Sequence, residues 1–219
     1  MGFELPPYWE QIREESADDL KEYNENFADY LLDKRINLLS TRYNGFDLLF
    51  DKFDIYTTRF NSYTYLENQR YKENKMHGFS GALYSTTLPF PANTSDEKYL
   101  FVLDMNNTTN KLLGVSFLKN KLAKDQNINI YADPSFNNCI YKTQFYIDLQ
   151  ESNSKIHKLW KTFIENEFEK CLFYGKSNMK RGGSFTRFSM KKMKTKHLKF
   201  LLSLFIVLNP NDFNTIIEL

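Results

Sequence analysis

Between residues 9 and 39 apolar side chains recur at helical intervals. Leu20, Tyr23, Phe27, Tyr30 and Leu31 step by three, four, three and one, which lines them on one stripe of an amphipathic helix. The spacing predicts a helix from about Trp9 to Leu39, opened after Pro6-Pro7 and stopped by Asn44-Gly45. Phe46 to Phe60 is mixed, and its IYTTRF stretch favours extended chain. From Tyr63 to Leu149 the texture turns to β. GALYSTTL, from Gly81, reads as a strand broken by Pro89-Phe-Pro91. KYLFVLDM and KLLGVSFLKN flank the short polar turn Asn106–Asn110, which predicts a β-hairpin. Ile128–Tyr131 and Ile140–Leu149 read as two further strands, with Asp133-Pro134 in the loop between them.

Helical spacing returns with Ile156, Leu159, Trp160, Phe163, Ile164, Phe168 and Leu172, with Ser152 or Ser154 at the N-cap and Gly175 at the end. A second apolar helix, His197 to Leu208, stops at Asn209-Pro210, and a short element from Phe213 to Leu219 closes the chain. The order predicts an α+β fold: an N-terminal helix, a central antiparallel sheet or small barrel, and C-terminal helices. Composition divides it into an acidic helical extension, 1–60, and an α+β body, 61–219, with a basic C-terminal segment; the two also read as one continuous domain.

Charge changes this picture. The net charge is only +2, yet it is segregated. Ten Lys or Arg and no Asp or Glu lie between Lys170 and Lys199, whereas Met1 to Asp54 holds thirteen acids against six bases. A block of one sign marks a solvated or partner-binding surface. Within the basic block, Lys180-Arg181-Gly182-Gly183-Ser184 combines charge with two glycines that let the backbone approach a phosphate. Aromatics interleave with the charges, and Phe185 and Phe188 are candidate stacking rings beside Arg187. Lys176, Lys180, Arg181, Arg187, Lys191, Lys192, Lys194 and Lys196 are candidate phosphate contacts. The acidic helix near Asp18 to Asp33 offers a rival use for the block, as a pairing surface within the molecule or in a homo-oligomer.

Several chemistries find no support. Gly175-Lys176-Ser177 has the end of a phosphate-binding P-loop, but Lys170 stands where the motif needs its first glycine and the triplet follows a predicted helix. Gly175 therefore reads as a helix C-cap. Cys139 and Cys171 form no CxxC and read as thiols of a reducing compartment. His77, His157 and His197 are scattered, so no zinc set and no cofactor site is expected. Asp104, Asp133 and Asp148 lie near strand ends without a spacing that ties them to His77 or to one another. The N-terminus lacks the apolar core of a signal peptide, and Pro6 breaks the myristoylation pattern after Met1-Gly2. The longest apolar run, Phe200 to Leu208, is far short of the roughly 20 residues that span a bilayer, so no membrane partner is expected.

Three resemblances add to these readings. KYLFVLDM and LLGVSFL, within Lys98–Leu149, resemble the core of PUA-like barrels, including the EVE and YTH relatives. That resemblance implies a small barrel that binds RNA or a modified base. The same strand–turn–strand is similar to GNAT acetyltransferases, whose acyl-CoA loop should follow the next strand; the nearest match here, Arg181-Gly-Gly-Ser, falls far downstream without that spacing. MNNTTNKLLGVSFLKN, IYKTQFYIDL and FYGKSNMKRGGSFTRFSMKKM resemble proteins of large nucleocytoplasmic DNA viruses, which implies action in the host cytoplasm or viral factory. Taken together, the sequence leads to a non-catalytic nucleic-acid-binding protein, RNA or DNA, that grips phosphates through residues 175–199. A structural protein that assembles through its acidic and basic faces, and an acyltransferase-like enzyme, are the alternatives.

Overall fold

Alternation and β-branched content set the centre of the fold. The computed structural model describes residues 52–123, 128–150, 163–188 and 195–208. In it FDIYTTRF forms β1 (Phe53–Phe60), followed by α1 (Ser62–Lys75) and β2 (Ala82–Thr86). The predicted hairpin is β3 (Tyr99–Asn106) and β4 (Lys111–Lys119). A 3-10 turn at Pro134–Phe136, β5 (Cys139–Thr143) and β6 (Tyr146–Asp148) come next. A π-helical stretch, Ile164–Glu169, runs into α2 (Lys170–Phe173), and β7 (Thr186–Arg187) and α3 (Thr195–Leu208) complete the described chain. The predicted N-terminal helix, the segment from 151 to 162 and the closing element after Leu208 lie outside the described residues.

The arrangement is α+β with a central sheet. Five strands lie in the order β6-β4-β3-β1-β7, and β2 and β5 form a separate antiparallel pair. The large sheet is mixed, because β1 and β3 run parallel, joined by the crossover through α1 and β2. The described strands close no barrel. Residues 53–60, grouped by composition with the acidic segment, form a strand inside this sheet.

Each long strand is buried on both faces, as a sheet covered on both sides requires. Phe53, Ile55, Phe101, Leu103, Val115 and Phe117 face the π-helical stretch, α2 and α3, meeting Phe168, Leu201 and Phe205. Tyr56, Phe60, Leu100 and Val102 face β2 and β5, meeting Tyr84, Phe90 and Tyr141. The result is three layers: helices, large sheet, small sheet with α1.

Two local expectations are corrected. Ile128–Tyr131 is not a strand, because the side chain of Asn137 takes its backbone donors: Oδ1 accepts from Ile130 N at 3.0 Å and Tyr131 N at 3.1 Å. Ile140–Leu149 is two strands, because the chain leaves the small sheet and enters the large one across Gln144-Phe145. Helix α1 carries no apolar stripe; Asn68 is its buried residue, donating to Leu83 O at 2.8 Å.

Candidate nucleic-acid interface

The basic loop begins where α2 stops. Gly175 has φ +80°, the left-handed conformation that ends helices and favours glycine. The loop is then fastened rather than free. Met179 is buried, and its N–H donates to Leu172 O at 2.7 Å. Arg59, at the end of β1, reaches across it: Nε donates to Met179 O at 2.8 Å and Nη1 to Gly183 O at 2.7 Å. Thr58 Oγ1 donates to Ser184 O at 3.2 Å, and Asn107 Nδ2 donates to Lys180 O at 2.9 Å. Strand β1 and the hairpin turn thus hold the Gly-Gly segment by its carbonyls. Gly182, at φ +149°, could not carry a side chain, because a Cβ would lie 2.6 Å from Thr186 Oγ1 and 2.8 Å from Arg59 Nη2.

The electrostatics of Arg59 stand out. It is half-buried, and no carboxylate among the described residues pairs with it. Burial pulls its pKa below the usual guanidinium value, although an arginine stays charged in proteins. Its partners are neutral carbonyls and, at 3.4 Å from Nη2, Thr57 Oγ1. A positive charge is therefore held at this spot without a counter-charge among the described residues. Beside it lies a cavity of about 500 Å³, lined by Arg59, Gly182, Gly183, Asn107, Tyr131 and Phe136 among others.

The residues expected to contact phosphate fall into several groups. Lys176 and Arg181 are exposed. Lys180 is half-buried, its Nζ donating to Asn110 Oδ1 at 2.8 Å. Gly182 and Gly183 line the cavity. Arg187 forms an ion pair with Asp54, which Lys98 also approaches at 3.7 Å; the acidic and basic segments meet here within one molecule. Lys196 stands in the first turn of α3, and Lys191, Lys192 and Lys194 lie outside the described residues.

Phe185 and Phe188 are corrected. Both rings are core, at 5% and 1% exposure, so neither offers a face to a base. Phe185 stacks on Phe90 with centroids 3.8 Å apart and meets Tyr84 and Tyr141 edge-on. Phe188 packs with Phe168 and His197. The cause is β7, whose pairing with β1 (Tyr56↔Arg187, Thr57↔Thr186) turns the flanking rings into the two cores and Arg187 toward Asp54. An exposed ring does lie beside the loop, but from a distant segment: Phe136, 43% exposed, on the 3-10 turn that Asp133 caps through Ser135 N at 2.9 Å. Asp133 is thus a turn former. The sequence signal for Arg59 was a lone basic residue near the end of a strand whose other residues are apolar or Thr apart from Asp54.

A second polar cluster lies between the two sheets. Tyr84 Oη is 2.7 Å from both Asp104 Oδ1 and Ser116 Oγ. Burial, above all, pushes the Asp104 carboxyl up to about 7, against a downward pull from Tyr84, Lys72 and Tyr146. Tyr146 lies over Gly114, where a Cβ would overlap its ring. A depression of about 480 Å³, lined by Lys72, Tyr146 and Asp148 among others, opens nearby, and Asp104 does not line it. Its hydroxyls satisfy the carboxyl internally, which makes the cluster a pin between β2 and the large sheet. Among the described residues no group of three or more His, Cys, Asp or Glu is placed to hold a metal ion, and no helix is long and apolar enough to cross a membrane. Comparison with protein-family models, curated proteins and solved structures finds no match for the chain.

Proposed function

We propose that the chain is a non-catalytic nucleic-acid-binding protein whose contact surface is the fastened Gly-Gly loop and the ground around it. The observation that carries this reading is Arg59: a half-buried guanidinium without a carboxylate partner among the described residues, set beside a cavity and bonded to a loop that also carries the exposed Lys176 and Arg181. A charge held without compensation favours an anion as its partner, and backbone held in place by side chains approaches a phosphate without an ordering cost.

The test is fluorescence anisotropy with labelled oligonucleotides across a salt series. Binding should weaken with salt, with log affinity falling linearly in log salt. The double variant Lys176→Ala/Arg181→Ala should bind more weakly and show a slope reduced by about 0.7 to 0.9 for each lost phosphate contact. An unchanged affinity and slope would remove the loop from the interface.

A further inference from the structure

The cavity beside the loop has two unlike ends. At one, Gly182, Gly183 and Arg59 present polar backbone and a positive charge that no carboxylate among the described residues pairs. At the other, Phe136 and Leu88 are exposed at 43% and 61%, with Tyr131 edge-on to Phe136 at 6.1 Å. Phe136 is held in place, since its carbonyl accepts from Ser85 Oγ at 2.8 Å. Asn107, whose Nδ2 donates to Lys180 O, also lines the cavity. The volume, about 500 Å³, lies within the range of small-ligand sites, about 300–1,000 Å³.

Resting on the nucleic-acid reading above, we infer that this cavity receives one unpaired nucleotide, its phosphate toward Arg59 and the Gly182-Gly183 backbone and its base against Phe136. A base that is stacked and paired inside a duplex cannot reach a concave, aromatic-walled site, whereas a single strand splays its bases onto such rings. The protein is therefore selective for single strands over duplex. Gly183 marks the entrance. A Cβ there would meet no atom within 4 Å, and its backbone needs no left-handed conformation, so a larger residue can be placed there without strain at its base.

The experiment compares a labelled single strand with the duplex of the same sequence, using the wild type, Gly183→Leu and Phe136→Ala. The wild type should prefer the single strand. Gly183→Leu should abolish the preference for the single strand over the duplex. Phe136→Ala, at an exposed position that does not threaten folding, should weaken single-strand binding by about five- to a hundredfold, the range measured for loss of one stacked base. Circular dichroism and thermal melting confirm that each variant is folded. Equal wild-type affinity for both forms, or a single-strand preference indifferent to both substitutions, overturns the inference while nucleic-acid binding stands. Absence of binding to either form overturns the proposed function and the inference with it.

Discussion

The Gly-Gly loop and the Asp104 cluster are both polar regions set against the same sheet, and they resolve their polarity in opposite ways. At Asp104 the polar atoms answer one another: Tyr84 stands between carboxyl and Ser116, and the strands close over them. At the loop, Arg59 spends its directional bonds on carbonyls, and no carboxylate among the described residues answers its charge. Hydrogen bonding and charge balance are separate requirements, and among the described residues only the first is met at Arg59. A buried network that satisfies itself specifies a fold, whereas one that leaves a charge over points outward to a partner.

Three changes break or sharpen this contrast. The largest effect is expected from Arg59→Met, which removes two charged hydrogen bonds and leaves two carbonyls without donors. Urea unfolding should show a loss of about 3 kcal/mol, and nucleic-acid binding should fall with it. Arg59→Lys should recover little of either, because an ammonium cannot reproduce the planar fork. Next comes Tyr84→Phe, which strips the hydroxyl shared by Asp104 and Ser116. The expected cost is about 2 kcal/mol in the same assay.

The third and mildest is a pH dependence. The Asp104 carboxyl is raised from 3.8 to about 7, chiefly by burial, so the folded state holds its proton more tightly than the unfolded chain does. Its stabilising contribution is complete below the unfolded value of 3.8 and is lost as pH rises through about 7. Asp104→Asn, which mimics the protonated form, should flatten this decline. Urea midpoints of the two proteins should therefore diverge between pH 5 and pH 8 in favour of the variant; parallel curves would place the ionisation elsewhere.

What was legible in the sequence was local. The hairpin showed itself because its strands are adjacent and Asn110, at φ +57°, sits in a turn whose Asn106 Oδ1 caps Thr108 and Thr109. The Gly175 stop was equally plain, since one glycine carries it. Helix α1 was not legible, because it packs through Asn68 and exposes Tyr63 and Leu66, so no apolar period exists to read. Nor were the parallel register of β1 and β3 or the reach of Arg59, which bonds to a carbonyl 120 residues away. Phe185-Thr-Arg-Phe188 shows the limit most clearly. The same four letters suit a stacking platform or an edge strand, and what decides is the antiparallel pairing with β1.

That edge strand has a further consequence. The described sheet sets three long strands, of eight, eight and nine residues, between borders of only three and two. Long exposed borders invite another chain to add a strand and seed aggregates, and short, charged ones discourage it. With Arg187 on one border and Asp148 on the other, the sheet carries its own safeguard against edge-to-edge polymerisation, even at an aromatic content of 16%.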